Sequence, residues 1–488
     1  MPSREKVRML EDAAAPCGCF INGREIIEGE IYELIDPSTG EPFARSAAAG
    51  ERLVDEALLG ARESLAGWRS THAAHRADIL HAMARRLRED EETLGRLICR
   101  EAGKTLPAAG AEVQSAAALV DYFAEEGLRV RGELPLLGYH RERVLIVREP
   151  VGVVGAVTPS NYPLSTLACK LAPALAVGCT LVAKPDEKTP LSTVRMARLA
   201  IEAGLPPGVF NVVTGTGPGA GRLLAEHPIP RLITFTGSRE VGKEILKSSG
   251  KWVRKVILEL GGHCPAIVSK DAPWRDFLPA IVNQSMKNCG QYCYRISRIY
   301  VAEEIYRDFL AAFVDSLGRL RVGPATDSGV DVGPLNDEKI LLRIRGLVEQ
   351  AVKEGARVET GGASPAIPSR GFYYLPTVLT GVEPGMAIAQ DEIFGPVVIV
   401  SPVRDMEEAV REANGTPYGL AAYLFSKDLA SALEWADRLE VGSVWVNRIH
   451  QAYREAPFGG MKESGLGREK SRFGIEEYTE LKTIYMSY

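Results

Sequence analysis

The sequence predicts an α/β protein with two parallel-sheet domains and a small separate β element. Between residues 151 and 260, short apolar runs alternate with helix-like stretches, which is typical of a parallel sheet with helices on both faces. A second alternation of the same kind begins after Gly262. Two strand-like pieces, 144–147 and 478–488, belong to neither alternation and are expected to pair with each other.

The composition excludes several classes of protein. At 488 residues the chain is too long for one ordinary core, so two or three domains are expected. Apolar residues make up 45% and charged residues 25%, as in soluble globular proteins. The net charge of −5 and the lack of a basic run argue against a nucleic-acid partner. No apolar run is long enough for a membrane span, and no membrane partner is expected.

The cysteines and the first residues indicate a cytoplasmic location. Eight cysteines in a chain of this length do not form a disulfide framework. Cys17 and Cys19 are a close pair, but no second pair completes a metal site, so we expect two free thiols and no metal. Residues 1–15 are charged and show no apolar run, so no signal peptide is expected.

The elements can be followed along the chain. Residues 20–50 alternate apolar pieces with turn dipeptides, which indicates short strands. Residues 51–126 show helical spacing, with a helix end at Gly103. The predicted strands and helices that follow are strands 151–157, 180–183, 210–213, 232–235, 256–260, 266–268 and 299–301 and helices 164–176, 191–203, 219–226, 240–247, 277–286 and 306–317.

Three polar segments lie where predicted parallel strands end, and such sheets bind ligands beyond the carboxyl ends of their strands. The glycine-rich segment 215–221 resembles a phosphate-facing turn, although Pro218 lacks an amide donor. Segment 235–238 (Phe-Thr-Gly-Ser) and segment 184–187 (Lys-Pro-Asp-Glu) occupy the same position after other strands. Together they predict a nucleotide cofactor.

A thiol and a carboxylate provide the candidate chemistry. Cys293 follows a Gly-Gln pair, and Glu259 stands before Leu-Gly-Gly. A thiol, a carboxylate and glycine-flanked backbone are what covalent thioester chemistry requires. Asn161, in Thr158-Pro-Ser-Asn-Tyr-Pro-Leu164, adds a side-chain amide donor for an oxyanion.

These segments, in this order, resemble the aldehyde dehydrogenase superfamily over nearly the whole chain. The resemblance implies that Cys293 attacks the aldehyde, that Asn161 and the Cys293 backbone N–H hold the oxyanion, and that Glu259 activates water to hydrolyse the thioester. It also implies that Lys170 takes part in a proton relay. The alternative is that Lys170 is a helix lysine whose side chain extends to solvent. Glu259 has the alternative of a structural ion pair. Ser160 replaces the family's usual aromatic residue.

The resemblance implies an NAD-binding fold of the Rossmann type. Glu187 would accept a hydrogen bond from the adenosine ribose and favour NAD, whereas Lys184 and Lys188 leave NADP open. In the segment 390–396, the resemblance places Glu392 on the nicotinamide ribose. The cofactor residues implied are Thr158, Pro159, Lys184, Glu187, Gly215, Gly219, Phe235, Thr236, Gly237, Ser238, Val241, Leu260, Gly261, Glu392 and Phe394.

The substrate is expected to be a small hydroxy-aldehyde or a semialdehyde. The inferred substrate residues are Tyr162, Tyr292, Tyr294, Arg448, His450, Arg454 and Phe458. The basic members of this set would hold an anionic tail, with ordinary solvated loop arginines as the alternative. Cys289 is expected one helical turn before Cys293, as a small core residue or as a redox partner.

The predicted domains are a dinucleotide-binding domain (1–127 and 149–261), a catalytic domain (262–469) and an oligomerisation β element (128–148 and 470–488). The exposed strand edges of the β element predict a homodimer or homotetramer. Two alternative functions stay open: a coenzyme A-acylating dehydrogenase on the same fold, and a catalytically idle family member kept as a structural or binding protein. Retention of Glu259 argues against the first, and retention of Asn161 and Cys293 argues against the second.

Overall fold

A computed structural model describes residues 16–136, 141–367 and 370–488. The segment 1–15, for which no signal peptide is expected, lies outside the described residues, as do residues 137–140 of the predicted β element. Within the described ranges, the architecture is the predicted α/β fold, with two mostly parallel sheets and three two-stranded ribbons.

The first quarter of the described chain consists of short strands followed by a run of helices. Apolar side chains at three- and four-residue spacing, such as Leu53, Ala57 and Ala61, are buried as the periodicity predicts. Gly103 ends the third helix at φ 71°, a left-handed conformation that favours glycine. The elements are β1 (Cys19–Ile21), β2 (Arg24–Ile26), β3 (Glu30–Asp36), β4 (Glu41–Ala48), α1 (Glu51–Ser70), α2 (Ala73–Glu89), α3 (Glu91–Ala102) and α4 (Leu106–Gly127).

The next part of the chain alternates strands and helices and forms most of the first sheet. In that sheet the strands lie in the order β2-β1-β8-β7-β6-β9-β10-β20, and the run from β8 to β10 is parallel. The elements are β5 (Glu142–Pro150), β6 (Val153–Val157), α5 (Pro163–Val177), β7 (Thr180–Lys184), α6 (Pro190–Glu202), β8 (Phe210–Val212), a π turn (Gly217–Gly221), α7 (Arg222–Glu226), β9 (Leu232–Thr236), α8 (Arg239–Gly250) and β10 (Lys255–Glu259).

The second sheet follows in the order β13-β14-β15-β12-β11-β17-β18, with β13 antiparallel at one edge. Its central strands β11, β12 and β17 are buried along their whole length because both faces are covered. The elements are β11 (Cys264–Val268), α9 (Trp274–Met286), β12 (Ile296–Ala302), α10 (Glu303–Gly318), α11 (Glu338–Lys353), β13 (Arg357–Thr360), β14 (Thr377–Thr380), α12 (Ala387–Gln390), β15 (Val397–Val403), α13 (Met406–Asn414), β16 (Tyr418–Gly419), β17 (Ala421–Phe425), α14 (Leu429–Arg438) and β18 (Ser443–Val446).

The last elements return to the first sheet and then leave it. They are β19 (Met461–Lys462), β20 (Gly465–Leu466), α15 (Ser471–Glu476) and β21 (Thr479–Ser487). Strand β20 adds to β10 at the sheet edge, so the chain near its C-terminus packs beside Glu259. Strand β21 pairs antiparallel with β5 along its whole length, as the sequence predicts.

The β5–β21 ribbon leaves apolar side chains in solvent. Leu481 is 63% exposed and Tyr485 is 78% exposed, and Ile484 and Met486 are exposed as well. Across the described ranges, we find no helix whose length and apolar character suffice for a membrane crossing.

Candidate active site

A groove of about 980 Å³ opens along the carboxyl ends of β6, β7 and β9. Of the predicted cofactor residues, nine line the groove: Thr158, Pro159, Lys184, Glu187, Phe235, Thr236, Gly237, Ser238 and Val241. In the glycine-rich turn, the wall is formed by Gly217, Pro218 and Gly221 rather than by Gly215 and Gly219. Gly215 instead has φ 128° and packs under the turn, so its role is conformational.

The groove presents donors that fit a dinucleotide. The hydroxyl oxygens of Thr158 and Thr236 are buried and have no hydrogen-bond partner among the described residues. Ser238 caps α8 by accepting from the Val241 N–H, so the N-terminus of that helix faces the groove, as a pyrophosphate requires. A Cβ at Gly237 would lie 2.4 Å from the Phe235 ring, so there is no room for a side chain at this position of the groove.

Glu187 lies at the far end of the groove beside a buried lysine. Lys184 Nζ is 3.3 Å from Glu187 Oε2, and the Glu187 side chain is 37% exposed. Burial acts to raise the pKa of Glu187, but the charges of Lys184 and Lys188 outweigh it and hold the pKa below its usual value. The carboxylate is therefore ionised, which suits it to accept from a ribose hydroxyl.

Glu259 is the last residue of β10, which lies next to β9 on the side away from β6. It is 3% exposed, and its Oε1 has no hydrogen-bond partner in the described chain. Its Oε2 lies 3.5 Å from Cys293 Sγ. Burial raises the pKa of Glu259 well above its usual value, and the Glu469 charge adds to this while Lys170 opposes it. Desolvation thus makes this carboxyl group a stronger proton acceptor than an exposed carboxylate.

Cys293 lies on a loop rather than on a helix, which corrects the expected helical spacing from Cys289. Asn288 and Cys289 have φ of 53° and 54°, so the helical backbone is broken before the thiol. Cys289 is buried in the core of the second sheet. Burial, followed by the charges of Glu259 and Glu392, raises the pKa of the Cys293 thiol well above its usual value.

Two buried side chains that the sequence did not single out hold this loop. Gln291 accepts from the Asn336 N–H at 2.8 Å and donates to the Asn288 carbonyl at 3.2 Å. Arg295 is fully buried and donates to the carbonyls of Ser285 and Val397. The sequence signal that could have identified Gln291 and Arg295 is their apolar context. Polar side chains in such a context are expected to be buried, and buried polar groups require hydrogen-bond partners.

Asn161 reaches the same loop from the start of α5. Its Nδ2 donates to the Gln291 carbonyl at 2.9 Å, two residues before Cys293. An amide nitrogen carries two hydrogens, so one remains for an oxyanion. The structure therefore brings Cys293, Glu259 and Asn161 together at the end of the groove, an arrangement suited to acyl transfer through a thioester.

Lys170 lies behind Glu259 in a buried ion pair. Its Nζ donates to Glu469 Oε1 at 2.5 Å, and the two side chains are 0% and 6% exposed. Both groups act electrostatically on Glu259. Glu469 was not found by sequence reasoning, because nothing local marks it as the partner of a lysine 299 positions away.

A second buried pair supports the start of α5. Glu112 Oε1 accepts from the Leu164 and Ser165 N–H groups at 3.0 and 3.2 Å. Its Oε2 pairs with Lys104, whose Nζ lies 3.5 Å from the centroid of the Tyr162 ring. This pair was also missed, and it fixes the segment that carries Asn161.

The predicted nicotinamide-side residues lie between the groove and the thiol. Glu392 Oε1 accepts from the Gly262 N–H at 2.9 Å, and a Cβ at Gly261 would lie 2.6 Å from its Oε2. Burial raises the pKa of Glu392 to about 7. Leu260 is buried and donates its N–H to the Ser464 carbonyl, and Phe394 has φ 52°.

Aromatic side chains form one wall beside Cys293, here called the aromatic wall: Tyr162, Tyr292, Tyr294, Trp445, His450 and Phe458. Tyr294 stacks against His450 with ring centroids 4.1 Å apart and meets Phe458 edge-on at 5.5 Å. Tyr292 is 1% exposed and donates its hydroxyl inward to the Gln284 carbonyl, so it supports the wall from behind.

The three predicted basic substrate residues lie in different places. His450 is part of the aromatic wall, and burial lowers its pKa to about 3, so its ring is neutral. Arg448 is exposed and lies over the outer side of Trp445 and Tyr453. Arg454 lines a separate surface groove beside basic side chains of α2 and acidic side chains of α4.

Comparisons with known proteins agree on one family. The chain matches the aldehyde dehydrogenase family over residues 26–484. It is 37% identical to succinate-semialdehyde dehydrogenase [NADP(+)] of Escherichia coli, covering 95% of this chain and 96% of that protein. It is 38% identical to betaine aldehyde dehydrogenase of Bacillus subtilis, covering 96% of each. The NAD+ complex structure of aldehyde dehydrogenase from Bacillus cereus superposes with a TM-score of 0.96 at 34% identity, covering 100% of this chain and 99% of that one.

Proposed function

Because the chain belongs to the aldehyde dehydrogenase family, we propose that Cys293, Glu259 and Asn161 carry its reaction. The enzyme oxidises aldehydes, including semialdehydes, to carboxylic acids with NAD or NADP as its cofactor. The observation that carries the assignment of residues is the 3.5 Å separation of Cys293 Sγ and Glu259 Oε2. That separation brings the thiol to one oxygen of a buried carboxyl group whose other oxygen, Oε1, has no partner among the described residues.

The first step is attack of Cys293 Sγ on the aldehyde carbon, in which the thiol proton is released to water. The oxygen becomes an oxyanion, which the second Nδ2 hydrogen of Asn161 and the Cys293 backbone N–H stabilise. When bound, the cofactor supplies the acceptor for the hydride that leaves this carbon. Gln291 and Arg295 keep the thiol loop in place during this step, because their hydrogen bonds fix its backbone on both sides of Cys293.

The second step is hydrolysis of the thioester on Cys293. Glu259 takes a proton from water, which attacks the acyl carbon, and the thiol leaves. The raised pKa of Glu259 suits it to this proton transfer, since it makes the carboxylate a stronger base than an exposed one. Lys170, held by Glu469, is positioned to pass the proton away from Glu259.

The cofactor is held along the groove by residues of the first sheet. Thr158, Thr236 and the N-terminus of α8 offer donors, while Glu187 and Lys184 lie where the adenosine ribose would bind. An ionised Glu187 accepts from a 2′-hydroxyl and repels a 2′-phosphate, which favours NAD over NADP. Glu392 and Phe394 lie on the nicotinamide side.

An assay of cofactor reduction over a set of aldehydes tests the proposal. Wild-type protein should reduce NAD+ with an aldehyde and without an added thiol acceptor. Cys293→Ala should abolish the activity while the protein still binds the cofactor. A measurable rate retained by Cys293→Ala would remove this thiol from the mechanism.

The two alternatives have separate readouts. A coenzyme A-acylating enzyme would require the added thiol and would release no free acid in its absence. A catalytically idle protein would show no turnover with any aldehyde or cofactor. The comparisons do not favour either alternative.

The domain division and the assembly are part of the proposal. We assign residues 1–127 and 149–261 to cofactor binding, 262–469 to catalysis, and 128–148 with 470–488 to assembly. The exposed apolar side of the β5–β21 ribbon supports a homodimer or homotetramer. The location that we propose is the cytoplasm. Sedimentation analysis of Tyr485→Glu should show smaller particles than wild type.

A further inference from the structure

The aromatic wall contains polar groups that have nothing to bind. The Tyr162 hydroxyl, Trp445 Nε1 and both ring nitrogens of His450 are buried, and none has a hydrogen-bond partner among the described residues. Buried polar groups are normally hydrogen-bonded, and leaving one without a partner is destabilising. Trp445 Nε1–H is a donor, a neutral imidazole donates through one nitrogen, and a tyrosine hydroxyl can donate. The wall therefore presents a surplus of donors.

An unpaired cation lies at the same wall. Phe458 and Glu469 exchange both backbone hydrogen bonds, at 2.8 and 2.7 Å, which brings Lys470 beside the aromatic side chains. Lys470 Nζ lies 4.8 Å from the centroid of the Phe458 ring. In the described part of the chain, Lys470 forms no ion pair. Its charge acts on both His450 and Glu259.

The nearby carboxylates other than Glu259 form ion pairs, and Glu259 accepts only from Cys293 Sγ in the described chain. Glu469 pairs with Lys170, and Glu112 pairs with Lys104. Lys470 also has φ 61° and ψ 174°, a backbone conformation that is found almost only at glycine. An ammonium group thus remains unneutralised beside unsatisfied donors, at a position where the backbone disfavours a side chain.

We propose that Lys470, together with the N–H groups of Trp445 and His450, binds a carboxylate at the far end of the aldehyde substrate. The inference rests on the proposed function, because the aldehyde carbon must lie at Cys293. It assigns the anionic tail to a lysine after the second sheet together with His450, whereas the sequence predicted Arg448, His450 and Arg454 for this role. The enzyme is then selective for semialdehydes that carry a carboxylate and disfavours aldehydes that carry a quaternary ammonium group.

The substrates that test this proposal are succinate semialdehyde, butanal and betaine aldehyde. Wild type should show a kcat/KM for succinate semialdehyde at least about tenfold above that for butanal, with betaine aldehyde the poorest of the three. Raising the ionic strength should raise the KM for succinate semialdehyde and leave the KM for butanal unchanged, because salt screens charge pairs.

The decisive variant is Lys470→Met, which keeps the length of the side chain and removes its charge. We expect kcat/KM for succinate semialdehyde to fall about ten- to hundredfold, mostly through KM, with less than about a twofold change for butanal. Lys470→Arg should restore most of the loss. Lys353→Met removes a lysine charge from the end of α11 and is the matched control, with no expected change for either substrate.

Each contrary outcome overturns the proposal. Equal losses of Lys470→Met on both aldehydes would make Lys470 a structural residue, and no loss on succinate semialdehyde would place the carboxylate elsewhere. A wild type that prefers butanal, or a KM for succinate semialdehyde that ignores salt, would contradict the inference even if the variant does not fold. In both cases oxidation of butanal keeps the proposed function intact, whereas wild type inactive on every aldehyde would refute that function instead.

Discussion

Two carboxylates at strand ends of the same sheet behave in opposite ways. Glu187, just after β7, is partly exposed, lies beside Lys184 and Lys188, and has a lowered pKa. Glu259, at the end of β10, is 3% exposed, lacks a partner for Oε1, and has a pKa raised well above its usual value. The first suits recognition by an ionised acceptor, and the second suits proton transfer. The environment, not the residue type, separates binding from chemistry.

The largest expected effect comes from Glu259→Gln, which removes the proton acceptor and keeps the shape. We expect kcat to fall by about 10²–10⁴, the usual contribution of acid–base catalysis. Because Cys293 remains, one equivalent of reduced cofactor should still form per active site in a rapid burst. Stopped-flow absorbance measures the burst, with Glu349→Gln on α11 as the control. Loss of the burst along with turnover would place the role of Glu259 before the thioester.

The same variant should change the reactivity of the thiol. The charge of Glu259 is the second-largest cause, after burial, of the raised pKa of Cys293. Removing that charge lowers the thiol pKa, so alkylation of cofactor-free Glu259→Gln by iodoacetamide should reach half-maximal rate at lower pH than wild type. At neutral pH we expect alkylation about tenfold faster, which corresponds to one pKa unit. An unchanged profile would mean that the Glu259 charge does not reach the sulfur.

Substitution of Glu187, the second carboxylate compared above, is expected to have a smaller effect. Glu187→Gln keeps an acceptor oxygen but loses the charge, so the KM for NAD+ should rise about three- to tenfold with kcat nearly unchanged. The relative efficiency with NADP+ should increase, because the repulsion of a 2′-phosphate is gone. Steady-state kinetics with both cofactors measures this, again with Glu349→Gln as the control. A fall in kcat at constant KM would contradict the ribose assignment.

Glu392 allows a test of the effect of burial on stability. Its folded pKa of about 7 lies above its ordinary value of 4.5. Its contribution to stability is therefore fully present below the ordinary value and is lost as pH rises through about 7. The melting temperature of Glu392→Gln minus that of wild type should be higher at pH 8 than at pH 5, by roughly 2 °C. Calorimetry at the two pH values checks the sign, and a difference in the opposite direction would show that Glu392 is ionised when folded.

The sequence by itself determined the alternation that predicts two parallel sheets, and the family that the motifs at 158–164, 235–238, 259–262 and 289–295 resemble. It also placed the paired outlying strands at 144–147 and 478–488. These features are local, since periodicity and turn chemistry need only neighbouring residues. The residues proposed for chemistry could also be predicted from their neighbours, because glycines and prolines flank Cys293, Glu259 and Asn161.

Only the tertiary structure decided which groups meet and which stay alone. It paired Lys170 with Glu469 and left Lys470 without an ion pair in the described chain. It placed Arg448 over the Trp445 ring and Arg454 in a separate surface groove. It also ended the helical backbone at Asn288 and Cys289, before Cys293. The physical reason is that charge pairing and desolvation depend on distance in space, and the pKa of a buried acid is decided by side chains hundreds of residues away along the chain.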